Sequence, residues 1–73
     1  MKDKQTIRVQ VEMPSRSHER LKRLRDLTEA ASYAEVVNHA LKLYEATVDL
    51  KQSGGRLFAA DKEGTMAEYV VFL

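Results

Sequence analysis

Residues 6–13 read Thr-Ile-Arg-Val-Gln-Val-Glu-Met, and this stretch decides how the chain folds. Its apolar side chains, Ile7, Val9, Val11 and Met13, alternate with polar ones, which is the period of a β-strand with one buried and one solvent-facing side. The sequence therefore predicts a strand over residues 6–13. Pro14 ends it, because proline has no backbone N–H to donate to a strand ladder.

A first helix is predicted immediately after this strand, over residues 14–29, with Pro14 in its first turn. Leu21 and Leu24 form one narrow apolar stripe at helical spacing, which is typical of a helix on the surface of a protein. Its basic residues Arg23 and Arg25 are expected in solvent.

A second helix is predicted over residues 33–51. Ser32 and Glu35 have the spacing of a capping box, in which Ser32 accepts from the backbone N–H of Glu35 and the Glu35 carboxylate reaches back to Ser32. The apolar side chains of this helix cover an arc of about 160°, wider than the roughly 100° that one neighbour needs. The excess predicts a second contact surface.

The chain continues through Gly54 and Gly55 into two apolar arms, at 57–60 and 65–73, which flank Asp-Lys-Glu-Gly at 61–64. Asp at the first and Gly at the last position suit a type I turn, so a β-hairpin is predicted. A helix from Thr65 onward is the alternative.

A chain of 73 residues buries little of its surface, and proteins this short often need disulfides, a metal or a second subunit. The sequence has no cysteine, and its two histidines lack the matched spacing of metal ligands. We therefore expect an oligomer with no metal and no cofactor.

Positive charge is concentrated at the beginning of the chain. Eight of the twelve Lys and Arg residues, but four of the eleven acidic ones, lie within residues 1–26. Such asymmetry suggests a surface for a polyanion, although a solvated helix face would show the same charges.

A strand, a helix, a turn and a second helix within about 45 residues resemble the ribbon-helix-helix superfamily of DNA-binding repressors, of the Arc, MetJ and CopG type. The resemblance covers residues 7–45 and rests on three stretches: Ile-Arg-Val-Gln-Val-Glu-Met-Pro at 7–14, Glu-Arg-Leu-Lys-Arg-Leu at 19–24, and Ser-Tyr-Ala-Glu-Val-Val-Asn-His-Ala-Leu-Lys-Leu-Tyr at 32–44. It implies a mainly α, β-α-α fold that forms an entwined homodimer, here extended by the C-terminal hairpin.

The implied organisation has three parts. Residues 1–5 would be a basic arm, residues 6–52 the DNA-binding and dimerisation domain, and residues 53–73 the extension. The strands of two chains would pair into an antiparallel ribbon whose apolar side rests on helices of both subunits. The dimer core would then comprise Ile7, Val9, Val11, Met13, Leu21, Leu24, Val36, Val37, Ala40, Leu41 and Tyr44.

The resemblance also places the DNA contacts. Arg8, Gln10 and Glu12 would read bases in the major groove, where Arg suits guanine, Gln suits adenine and Glu can accept from cytosine. The alternative is that these three residues form the solvent-facing side of a strand that buries only its other side. Phosphates would be bound by the backbone N–H groups of Ser32, Tyr33 and Ala34, and by Lys2, Lys4 and Arg16.

Some implications of the resemblance have competing interpretations. Ser32 caps its helix whether or not it binds phosphate. The aromatic side chains, Tyr33 among them, are expected to pack rather than to stack on bases. Where Ala30 stands, the family commonly has a glycine that suits a left-handed helix end, and alanine in that conformation costs about 1 kcal/mol.

The expected function is a sequence-specific transcriptional repressor that binds a palindromic operator in double-stranded DNA as a homodimer or as adjacent dimers. The alternative is a protein-interaction module, since antitoxins of this superfamily hold a partner protein through their C-terminal region, here residues 54–73. No nucleophile, base and orienting residue form a catalytic set, so no enzyme is expected. The sequence shows neither a membrane span nor a signal peptide, which favours the cytoplasm.

Overall fold

The computed structural model of the chain describes residues 5–69. Two helices, α1 (Ser15–Thr28) and α2 (Tyr33–Gln52), precede two short strands, β1 (Phe58–Ala60) and β2 (Met66–Glu68). The predicted helices are confirmed to within a residue at each end. Pro14 lies just before α1 and not inside it: its backbone is extended, and its carbonyl accepts the first helical hydrogen bond, from the N–H of His18 at 3.1 Å.

The predicted strand over residues 6–13 is not formed in the single chain. Residues 5–14 belong to no helix or strand, so the order is helix, helix, strand, strand and not strand, helix, helix. The physical reason is that a strand exists through hydrogen bonds to a neighbour. Within residues 5–69, the sheet consists of the pair β1 and β2, and this segment pairs with neither strand.

The helix ends are shaped by backbone hydrogen bonds. After α1, Glu29 adopts a left-handed conformation (φ 57°, ψ 32°), while the N–H of Ala30 donates to Arg25 at 3.1 Å. The left-handed residue is thus Glu29 and not Ala30, one residue earlier than expected. In this bonding pattern, which spans six residues, the positive φ falls on the residue immediately after the helix.

After α2, the chain turns through a glycine pair into the hairpin. Gly54 has φ 84°, and the N–H of Gly55 donates to the carbonyl of Leu50 at 2.8 Å. Gly55 leaves no room for a side chain, since a Cβ there would collide with Leu50. The backbone N–H groups of residues 53–55 all donate to carbonyls of α2, so the hairpin begins after Gly55.

The predicted hairpin is confirmed over residues 58–68, and the alternative of a helix from Thr65 is wrong. β1 and β2 are antiparallel, with Ala59 opposite Ala67. In the turn, the N–H of Gly64 donates to the carbonyl of Asp61 at 2.9 Å, and Gly64 has φ 88°. Residues 70–73 of the predicted second arm lie outside the described residues.

The chain has almost no interior of its own. Among residues 5–69, Val36 is the one buried apolar side chain, with 7% of its surface exposed. The helices pack against each other and the two strands pair, while the hairpin meets α2 only at a small cleft that Glu68 lines together with Thr47 and Leu50. No helix in the described range is long and apolar enough to cross a membrane.

Candidate nucleic-acid interface

The three predicted base-reading residues lie together in the segment that precedes α1. Arg8, Gln10 and Glu12 are all exposed. The apolar residues between them are exposed as well: Ile7 to 83%, Val9 to 74% and Val11 to 68%. In the single chain, therefore, neither the polar nor the apolar side of this alternation is covered.

The start of α1 adds positive charge at the end of this segment. Arg16 lies in the first turn of the helix and is exposed, and this turn contains no acidic residue. The helix dipole places partial positive charge at the same end. Arg16 is four residues after Glu12 along the chain, so a cation and a helix N-terminus follow the segment directly.

The start of α2 has a capping arrangement that differs in one bond from the predicted one. The N–H of Glu35 donates to the Ser32 hydroxyl oxygen at 3.2 Å, as predicted. The Glu35 carboxylate, however, accepts from the N–H of Ala31 at 2.6 Å and not from that of Ser32. The prediction for the carboxylate is wrong by one residue, because the backbone of Ala31 presents its N–H to it.

Tyr33 and Ala34 carry the donors that an anion would meet here. The first backbone bond of α2 runs from the N–H of Val36 to the carbonyl of Ser32 at 3.4 Å, so the N–H groups of Tyr33 and Ala34 precede the helical ladder. The half-buried Glu35 adds one negative charge beside them. This end of α2 can donate hydrogen bonds to a phosphate, but its own carboxylate opposes the attraction.

The Tyr33 ring packs against α1, in agreement with the packing interpretation. It meets the ring of His18 edge to face, with centroids 5.9 Å apart, and the guanidinium carbon of Arg25 lies 4.4 Å from its centroid. Arg25 was expected in solvent but is half-buried over this ring. Nothing in the spacing within α1 alone marks Arg25, because its partner comes from the start of the next helix.

The residues predicted for the dimer core are divided between a small contact within the chain and a large exposed surface. Val36 is buried and Leu21 half-buried between the helices. On α2, Leu41 is 58% exposed and Tyr44 52%, and the rest of the set is exposed too. These exposed members are Ile7, Val9, Val11, Met13, Leu24, Val37, Ala40, Leu41 and Tyr44.

Two further exposed leucines were not among the predicted core residues. Leu27 on α1 and Leu43 on α2 are 63% and 68% exposed. Both lie at the edges of their helix's apolar arc, and this position was the signal that could have identified them. Each widens the apolar surface that the chain leaves uncovered.

Lys2 and Lys4, the remaining predicted phosphate contacts, and with them most of the arm at residues 1–5, lie outside the described residues. Among residues 5–69, no three His, Asp or Glu side chains are grouped as the ligands of a metal ion would be. Comparisons with protein-family models, with curated proteins and with solved structures find no match to this chain.

Proposed function

We propose that the chain is one half of a homodimeric, sequence-specific DNA-binding repressor in which residues 6–13 of two chains pair into an antiparallel ribbon. The observation that carries the proposal is the exposed alternation of Ile7, Val9 and Val11 with Arg8, Gln10 and Glu12. One side of such a ribbon requires burial, and the other side carries the hydrogen-bonding groups that read bases.

The surface area of the chain supports a second subunit. The chain exposes 7254 Å2, whereas a folded monomer of 8.3 kDa is expected to expose about 4,600 Å2. Its radius of gyration is 15.3 Å, against about 11 Å for a compact domain of this length. The excess, roughly 2,700 Å2 per chain or about 5,400 Å2 for a pair, is at the upper end of the total area that obligate homodimer interfaces bury.

The location of the exposed apolar residues supports a ribbon resting on helices. Val37, Leu41 and Tyr44 lie on one side of α2, next to the buried Val36. A second helix surface of this kind has no partner within the described chain. In the proposed dimer it packs against the apolar side of the ribbon and against the helices of the other subunit, so neither subunit has a complete core alone.

The polar side of the ribbon then inserts into the major groove. Arg8 can donate to O6 and N7 of guanine, Gln10 can pair with adenine, and Glu12 can accept from cytosine N4. The backbone N–H groups at the start of α2 and the side chain of Arg16 bind the flanking phosphates, together with Lys2 and Lys4 of the arm.

The test is selection of bound fragments from random double-stranded DNA, followed by affinity measurements on the selected site. We expect a palindromic site. Arg8→Ala should weaken its binding by about 5- to 150-fold, equivalent to about 1–3 kcal/mol, and relax the preference at one base pair of each half-site. Arg23→Ala is the matched control: Arg23 is equally exposed but lies in the middle of α1.

Two results would contradict the proposal. One is the absence of any enriched sequence. The other is an equal effect of Arg8→Ala and Arg23→Ala on affinity and base preference, which would mean that the cations act only through overall charge.

A different outcome is expected for a cation that contacts phosphate alone. Lys4→Ala should weaken binding to selected and random DNA alike, and it should lower the slope of log affinity against log salt by about 1. Titrations at several salt concentrations check this. A loss confined to the selected sequence would remove Lys4 from the phosphate contacts.

The alternative function is a module that binds another protein through residues 54–73. It is favoured by the exposed apolar side chains Phe58, Met66 and Tyr69 of the hairpin. A chain ending at Ser53 distinguishes the two functions. If it still dimerises and binds the selected DNA with unchanged affinity, the hairpin serves a different purpose.

A further inference from the structure

Among residues 5–69, no third strand pairs with the hairpin, which therefore has two open edges. The N–H of Tyr69 donates to the carbonyl of Leu57 at 2.7 Å, and that of Asp61 to Thr65 at 2.9 Å. Because inward and outward positions alternate along a strand, Ala59 and Ala67 also face each other through hydrogen bonds. The N–H and C=O groups of the intervening residues therefore point away from the hairpin: Phe58 and Ala60 on β1, Met66 and Glu68 on β2.

The edge of β2 has none of the features that usually protect an exposed edge. Such edges are normally guarded by charges, prolines or bulges. Residues 65–69 contain one charged side chain, Glu68, and its carboxylate is already paired with the Arg56 guanidinium at 3.1 Å. The pair itself carries no net charge, and the Lys51 ammonium of α2 is a further charge that acts on Glu68.

The edge of β1 is bounded at both ends by residues that have other roles. β1 begins three residues after Gly55, whose N–H is held by the last turn of α2. At its other end lies Asp61, whose carboxylate is held in the turn by the N–H groups of Glu63 and Thr65.

The hairpin also lacks what it needs to be stable alone. A two-stranded sheet is at best marginally stable in water without further strands or a helix covering it. Here the contact with α2 is limited to a small cleft at the open end of the hairpin, and Phe58 and Met66, which share one face, are 46% and 63% exposed. A third strand along β2 would supply the missing hydrogen bonds.

We propose that β2 pairs antiparallel with β2 of a second copy of this chain, giving a four-stranded sheet in the order β1, β2, β2, β1. A two-fold axis at Ala67 places Met66 opposite Glu68 of the other copy, so that all four outward N–H groups on the two β2 strands find a carbonyl. A register centred on Glu68 would instead place the two carboxylates opposite each other, which is unfavourable.

This pairing does not require the ribbon, and it lies far from the proposed DNA contacts. α2 has 20 residues and is therefore about 30 Å long. The hairpin follows its C-terminus, whereas the phosphate donors are at its N-terminus. The hairpins can thus join two copies while their other ends hold DNA.

Disulfide trapping in the full chain tests the pairing without interference, because the sequence contains no cysteine. At the axis, the two Ala67 Cα atoms would be about 4.5 Å apart in a non-hydrogen-bonded pair, which is within the range of a disulfide. Ala59→Cys is the matched control. Ala59 faces Ala67 across the hairpin and is equally exposed, but its two copies would be about 14 Å apart, three strand spacings.

Under mild oxidation, we expect the Ala67→Cys chain to form a disulfide-linked pair about 100-fold faster than the Ala59→Cys chain, since held thiols have effective concentrations in the millimolar range. Equal rates would overturn the pairing. Amide hydrogen exchange in the unsubstituted protein gives an independent result: the N–H groups of Met66 and Glu68 should be protected and those of Phe58 and Ala60 should not. Rapid exchange at all four would also overturn it.

The two proposals fail separately. A chain that binds selected DNA but shows neither the Ala67→Cys disulfide nor the protected amides retains the proposed function and leaves this edge open to another protein. A chain with a rapid Ala67→Cys disulfide and no DNA binding retains the hairpin pairing alone.

Discussion

Glu29 occupies the backbone conformation that most favours glycine among the non-glycine residues described. Its positive φ of 57° closes the end of α1, where the N–H of Ala30 reaches back to Arg25. A side chain in this left-handed conformation costs about 1 kcal/mol relative to glycine. Glu29→Gly should therefore raise the free energy of unfolding by up to about 1 kcal/mol, measured by urea denaturation at a fixed protein concentration.

Two control variants separate conformation from charge at this turn. Glu29→Gln removes the charge but keeps the side chain, so it should recover little of the gain. Ala30→Gly should lower stability by about 0.4–1 kcal/mol, because Ala30 has no positive φ and glycine only adds freedom to the unfolded chain. A larger gain in the free energy of unfolding from Ala30→Gly than from Glu29→Gly would contradict the assignment of the left-handed position to Glu29.

At the scale of one element, the hairpin contains an ion pair between Arg56 and Glu68 whose strength depends on pH. The pKa of Glu68 is lowered from its ordinary value of 4.5, first by the hydrogen bond from the Arg56 side chain and then by its charge. A group with a lowered pKa stabilises the folded state above its unfolded pKa and loses this effect as the pH falls through the folded value. The hairpin should therefore loosen below about pH 4.5.

A carboxyl carbon NMR titration measures this directly. Glu68 should titrate with a midpoint below 4.5 in the unsubstituted chain and return towards 4.5 in the Arg56→Gln variant. Arg20→Gln, a change on α1, is the control and should leave Glu68 unaffected. An unchanged Glu68 midpoint in Arg56→Gln would show that the ion pair is not formed in solution.

The elements that the sequence predicted correctly are those whose hydrogen bonds are local. The apolar stripe of α1, the Ser32 cap of α2 and the Asp61 to Gly64 turn each act within a few residues, and all three form in the single chain. The misplaced details are also local: the carboxylate of Glu35 bonds one residue earlier than predicted. Spacing identifies a cap but does not determine which of two adjacent N–H groups a flexible side chain selects.

At the scale of the whole molecule, prediction from one chain reaches its limit at residues 6–13. Their alternation predicts a strand, but among residues 5–69 no segment pairs with them. The candidate site has the same limit. The contact of Tyr33 with Arg25 depends on helix packing, and in the proposed dimer the positions of Arg8, Gln10 and Glu12 would depend on a second subunit.

A pair of variants tests the dimer at this scale. In the chain ending at Ser53, which lacks the hairpin, Val9→Asp would place an unpaired carboxylate against the proposed core, which costs about 3–5 kcal/mol, so this variant should be a monomer by sedimentation equilibrium. Gln10→Asp introduces the same group on the polar side and should remain dimeric while losing DNA affinity. If both variants are dimers, the apolar side of residues 6–13 is not at the interface.

The most direct test of the central claim is isotope-filtered NMR on a mixture of labelled and unlabelled chains. Pairing of residues 6–13 between two subunits predicts intermolecular contacts between backbone protons of this segment in one chain and the same segment in the other, in antiparallel order. A sample of 8.3 kDa with no intermolecular contacts from Ile7 to Met13 would contradict the ribbon and the DNA-binding function built on it.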